Sequence, residues 1–234
     1  MSIAENVAQV RERIAAAARR ANRRPEEITL MAVSKMVEPA RIREGYAAGL
    51  RAFGENRVQE FADKAERVKA LAGCEWHLIG HLQSNKASKA AELFQAVDSI
   101  DSLRLAEKLN VGAARLGLKL PILLEINIGG EAAKKGLAPD SEELTRILRV
   151  APTLQALQVR GLMAIPPFTD NPEGARPYFR KMRQVRDAIA DRKFPNVTME
   201  TLSIGMSHDF EIAIEEGSTC VRVGTAIFGE RPRP

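Results

Sequence analysis

Residues 201–229 read TLSIGMSHDFEIAIEEGSTCVRVGTAIFG, and this stretch decides the fold. Two short β-type runs, near 198–204 and 219–223, each open into small residues: Ser203, Gly205, Met206 and Ser207 after the first, Gly224 and Thr225 after the second. Glycine allows close backbone approach, and serine and threonine hydroxyls donate to anionic oxygens. Two such turns after neighbouring parallel strands are the arrangement with which a barrel holds a phosphate at the C-terminal ends of its seventh and eighth strands. Each residue taken singly is also an ordinary turn or capping residue. Asp209 and Glu211, in the first helical turn after Ser207, would repel an anion unless they point outward.

Working back toward the N-terminus, six more apolar runs lie near 28–34, 51–54, 75–80, 95–100, 120–128 and 158–165, with helical patterns between them. Eight βα units imply parallel strands with right-handed crossovers and favour a closed barrel over an open doubly wound sheet, the second choice. The expectation is an α/β fold, a single TIM-type (β/α)8 barrel over residues 1–234. It carries an extra N-terminal helix with Ile3, Val7, Val10 and Ile14 on one stripe. Pro39 and Pro139 mark helix starts, Gly49, Gly73 and Gly217 helix ends, and Pro166-Pro167 a long loop after the sixth strand.

Composition narrows the function. The 35 Lys and Arg residues against 30 Asp and Glu are interspersed along helices, and aromatic residues make up only 5%, which argues against nucleic acid. No apolar run approaches a membrane span. Cys74 and Cys220 have no metal or redox spacing, and Met1 to Arg24 lacks an apolar signal core, so the cytoplasm is the expected compartment. His77 and His81 stand four residues apart, roughly 13 Å along a strand, too far to share a metal ion. No metal is expected.

Lys35 closes the run Ile28 to Ser34, which puts its amine on the same rim as the two late turns. A lysine there suits imine formation with an aldehyde-bearing phosphate ligand, although a surface lysine past a strand is the plainer reading. Lys134 and Lys135 are alternatives; Lys119 precedes its strand and belongs to the opposite mouth. Arg222, between Val221 and Val223, must point inward if its neighbours pack against helices. It then meets a buried carboxylate such as Glu200 or Glu125, or donates to a pyridine ring nitrogen and keeps that nitrogen unprotonated.

Several motifs together carry a resemblance: AVSK at Ala32 to Lys35, FGEN at Phe53 to Asn56, WHLIGHLQSNK at Trp76 to Lys86, GLMAI at Gly161 to Ile165, and SIGMSHD through GSTCVRVGTAIFG. The chain resembles the pyridoxal phosphate homeostasis protein family, which is similar to the barrel domain of alanine racemase and has pyridoxal 5′-phosphate (PLP) as cofactor. The resemblance implies Lys35 as the Schiff-base residue and Arg222 facing the pyridine nitrogen. Ser203, Gly205, Met206, Ser207, Gly224 and Thr225 would then surround the phosphate, with Asn56 and His77 close to the ring. It also implies a loop lysine that handles the cofactor, Lys134, with Lys135 the alternative register. Expected partners are PLP and PLP-dependent apoenzymes, and a monomer is expected. Racemisation needs a base on each face of Cα, and Tyr46 and Tyr178 fall on crossover helices. A protein that stores, protects or delivers PLP is therefore favoured over a PLP-dependent racemase or a cofactor-free lysine aldolase.

Overall fold

The computed structural model describes residues 1–131 and 135–230. Eight parallel strands close in sequence order: β1 (Thr29–Val33), β2 (Ala52–Glu55), β3 (Glu75–Leu78), β4 (Ala96–Ile100), β5 (Leu120–Glu125), β6 (Leu157–Met163), β7 (Val197–Met206) and β8 (Cys220–Val223). Closure is made where β1 pairs with β2 on one side and β8 on the other, Ala32 standing opposite Phe53 and Val223. The expected TIM-type barrel is the observed one.

Alternation along each strand sorts the side chains. Met31, Val33, Ile79, Leu123, Met163 and Cys220 fill the barrel interior. Outside it, the helices bury the other face; Phe53, Trp76, Phe61 and Phe94 form a chain of ring contacts with centroids 4.7–4.9 Å apart. Three expected strands stop short, β3 at Leu78 among them. β5 ends at Glu125 because the chain turns at Gly129 and Gly130, leaving a single bridge from Ile126 to Leu137, and β6 ends at Met163 before the Pro166-Pro167 loop.

β7 runs longer than expected, to Met206. Between the pairs Ser203–Cys220 and Met206–Arg222 it advances three residues against two in β8, a bulge centred on Gly205 at φ 92°. A Cβ there would lie 2.5 Å from that of Ala213 and 3.0 Å from the Cα of Phe210, so glycine is required for α8 (Phe210–Glu215) to approach.

The helix α1 (Ile3–Arg20) begins with a reciprocal cap between Ser2 and Glu5 and buries Ile3, Val7, Val10 and Ile14. Each of these contributes about 1.5–3 kcal/mol if fully removed from water. Its packing partners are α2 (Pro39–Ala47), α8 and α9 (Thr225–Phe228), and Asn6 Nδ2 donates to the Ile227 carbonyl at 2.8 Å. The extra helix thus braces the two helices that follow the glycine-serine turns. Among the described residues no helix is long and apolar enough to cross a membrane.

Candidate functional site

The C-terminal rim collects Lys35, Asn56, Met206, Ser207, Gly224 and Thr225, each just past a strand or at its last residue. Lys35 and Asn56 line one groove of about 910 Å³. Met36, next to Lys35, lines a smaller cavity of about 170 Å³ with Gly224 and Thr225, so the lysine turn and the last turn adjoin. This adjacency follows from the β1–β8 pairing that sets Ala32 beside Val223.

Ser207 ties the two late turns together. Its Oγ accepts from the backbone N–H of Gly224 at 3.3 Å and of Ala226 at 3.4 Å. These are long bonds from amides in the first turn of α9, donors that a phosphate oxygen satisfies in the same way. The two nearby carboxylates are accounted for. Glu211 pairs outward with Arg13 at 3.1 Å, and Asp209 Oδ1 accepts from the Met206 N–H at 2.7 Å.

Ser203 and Gly205 sit apart from the other residues of the expected phosphate ring. Both are buried behind it: Ser203 because alternation turns it into the barrel, Gly205 because α8 packs on it. Ser203 holds Arg222 instead. Arg222 Nη1 donates to the Ser203 carbonyl at 2.6 Å and to its Oγ at 2.7 Å, and Nη2 donates to the Ala164 carbonyl at 2.9 Å. The inward arginine therefore rests on carbonyl and hydroxyl oxygens; of the carboxylates expected for it, Glu200 pairs with Arg160. Burial lowers Arg222 below its ordinary value, opposed by the fields of Cys220, Asp98, Glu125 and Asp209. Glu125, at the end of β5, is pushed up to about 7 by burial and by Asp101, against the pull of Arg222.

His77 also sits apart from the rim. It lines a cavity of about 430 Å³ whose walls are strand starts, among them Thr29, Glu75, Pro121 and Thr219, at the mouth opposite the rim. Its place on β3 explains this, since it pairs with Gly54, two residues before Asn56, about 7 Å down the strand. Its Nδ1 lies 3.2 Å from both Asp98 oxygens, while His81 pairs separately with Asp101. Burial pulls the His77 imidazole down, but Asp98 and Glu75 outweigh it and raise the group to about 10.

A raised folded value has a definite sign. The stabilisation is complete below the unfolded imidazole value near 6.5 and is lost as pH rises through about 10. Thermal melts of the protein should therefore fall across that window by on the order of a few kcal/mol, and His77→Gln should flatten the fall. An equal slope in both proteins would contradict the pairing.

One group escaped the sequence reading. Beneath Lys35, the buried Lys64 of α3 (Val58–Val68) meets Glu55, Glu60 and the Ser34 carbonyl. The available signal was a lysine on the apolar stripe of Val58, Phe61 and Val68, four residues after Glu60. Burial pushes Glu55 above the usual carboxylate range, opposed by Lys64 and Ser34. Lys134 lies outside the described residues. Among the described residues no group of three His, Cys, Asp or Glu side chains is placed to hold a metal ion.

The chain is similar to known proteins in sequence and in fold. The family model "Alanine racemase, N-terminal domain" matches residues 5–232. A pyridoxal phosphate homeostasis protein of Aquifex aeolicus is 45% identical over 231 residues, covering 99% of this chain and 99% of that protein. Among solved structures, PipY of Synechococcus elongatus PCC7942 with PLP bound is 38% identical, with a TM-score of 0.84, covering 97% of this chain and 100% of that one. An alanine racemase of Clostridium difficile 630, at 16% identity and a TM-score of 0.72, covers 99% of this chain but only 57% of its own and shares the fold alone.

Proposed function

Given that the chain belongs to the pyridoxal phosphate homeostasis protein family, we propose that it is a carrier of pyridoxal 5′-phosphate acting in intracellular PLP homeostasis. It stores, protects or delivers the cofactor and affects amino-acid and keto-acid balance indirectly. One observation carries the reading: a buried guanidinium, Arg222, sits within the same barrel end that bears Lys35 and the Ser207–Gly224–Ala226 turn. The donor set fits PLP, with an amine for its aldehyde, paired turn amides and a hydroxyl for its phosphate, and a fixed cation for its ring.

When bound, PLP supplies an aldehyde and an electron-accepting ring. Lys35 would hold it through its amine, Met206, Ser207, Gly224 and Thr225 would hold the phosphate, Asn56 would contact the ring, and Ser203 would orient Arg222 toward the ring nitrogen. Gly205 shapes the turn, and Lys134 assists cofactor handling. Arginine keeps its charge, so a ring nitrogen facing it stays unprotonated and withdraws electrons poorly. Tyr46 and Tyr178 lie on the outer helices α2 and α7 (Arg176–Asp191), away from any acid or base role at the rim. The same reading takes residues 1–234 as one PLP-binding domain, a cytoplasmic monomer that hands PLP to apoenzymes.

Glu125, titrating near neutrality at the end of β5, favours one competing reading, a residual racemase. Incubation of the PLP-loaded protein with single amino-acid enantiomers in deuterated water separates the two. A carrier gives no turnover-dependent deuterium at Cα, whereas catalytic exchange would establish an enzyme.

A further inference from the structure

Three segments converge under Lys35: the end of β1, the end of β2 and the first two turns of α3. Lys64 Nζ lies 3.0 and 3.2 Å from the two Glu55 oxygens, 2.9 Å from Glu60 Oε1 and 3.1 Å from the Ser34 carbonyl. Ser34 Oγ donates to Glu55 Oε1 at 2.7 Å, and the Met36 N–H donates to Glu60 Oε1 at 2.6 Å. Both neighbours of Lys35 are thus fixed, Ser34 through its hydroxyl and carbonyl, Met36 through its amide.

The arrangement is costly in two ways that a plain surface turn would avoid. A lysine with an 8% exposed surface is held beside a carboxylate with none exposed, a pair that pays for desolvation only with saturated hydrogen bonding. Met36 adopts a left-handed φ of 58°, a strained conformation for a residue with a Cβ, kept only where its surroundings hold it. The Glu60 bond to its amide is one of the contacts that hold it. Met36 itself is 66% exposed, so no burial of its side chain accounts for the strain.

We propose that Lys64, Glu55 and Glu60 form a positioning cluster for Lys35, clamping the backbone on both sides of the amine so that Nζ meets the aldehyde carbon of a phosphate-anchored ligand. This rests on Lys35 as the attachment residue. In that step the Nζ lone pair adds to the aldehyde carbon, a C=N bond forms, and the aldehyde oxygen leaves as water with the two amine protons. Misplacement of a reacting atom by about 1 Å is worth up to about a hundredfold, and the cluster acts on that displacement alone.

The test compares PLP with pyridoxine 5′-phosphate, which has the same ring and phosphate but an alcohol in place of the aldehyde. In Lys64→Met and Glu60→Ala, formation of the PLP absorbance band should slow and PLP affinity fall by about tenfold or more, while pyridoxine 5′-phosphate binding stays within about twofold of the native protein. Wild-type PLP kinetics in both variants, or an equal loss of both ligands, would overturn the proposal. Should Lys64→Met fail to fold, Glu60→Ala carries the comparison, because it leaves the Lys64–Glu55 pair in place. Lys35→Ala, run alongside, separates the two claims: covalent capture of PLP by that variant refutes the attachment residue itself, whatever the Lys64 and Glu60 variants show.

Discussion

Lys35→Ala removes the visible absorbance band of bound PLP and its capture by borohydride, while the protein melts within a few degrees of the native form. The side chain is half-buried past the end of β1 and belongs to neither apolar cluster, so the expected stability change is about 0.5 kcal/mol or less. With the proposed ring and phosphate contacts intact, weak, reversible binding is the expected remainder. An unchanged band together with continued covalent capture would place the attachment on another amine, with Lys134 and Lys135 the first to examine.

Arg222→Glu has the largest expected effect on stability. It removes three donors to Ser203 and Ala164 and sets a new carboxylate in the field of Asp98, Glu125 and Asp209. Breaking a buried charged cluster costs about 3–5 kcal/mol. In a chain of this size that is a fall in Tm of roughly 6–20 °C. Arg222→Lys keeps the charge but loses the fork, and should shift the absorbance of bound PLP with a smaller fall in Tm. A melt and a spectrum like those of the native protein, for either variant, would count against both the structural and the ring-nitrogen roles.

Much of this was legible in the chain because barrels repeat a local pattern. Eight apolar runs, the Pro39 start of α2 and the glycine ends of helices are all short-range signals, and the structure follows them. Arg222 was legible as inward from simple alternation. Its acceptors were not, because the Ser203 and Ala164 carbonyls reach it from two other strands. Ser203 and Gly205 looked like phosphate-holding residues for a related reason: a small residue before a turn reads the same whether it faces an anion, an arginine or a helix. Only the bulge between Ser203 and Met206 tells them apart, and it arises from β7–β8 register.

His77 differs from the rim residues in height rather than in face. It points into the barrel, but on the tier below Ile79, where Asp98 of β4 meets it. Sequence gives the alternation of a strand and says little about how far along the axis each strand begins. The Lys64 cluster lay deeper still from view, since its members come from β1, β2 and α3, and only Glu60 and Lys64 are near enough in sequence to suggest a pair.

The covalent bond to Lys35 is the claim on which the carrier reading turns. Its direct measurement is titration of the PLP-free protein with PLP, borohydride reduction and peptide mass mapping. A single phosphopyridoxyl adduct per chain is expected, on the peptide containing Lys35. No adduct at saturating PLP, or an adduct on a peptide carrying a different lysine, would contradict it.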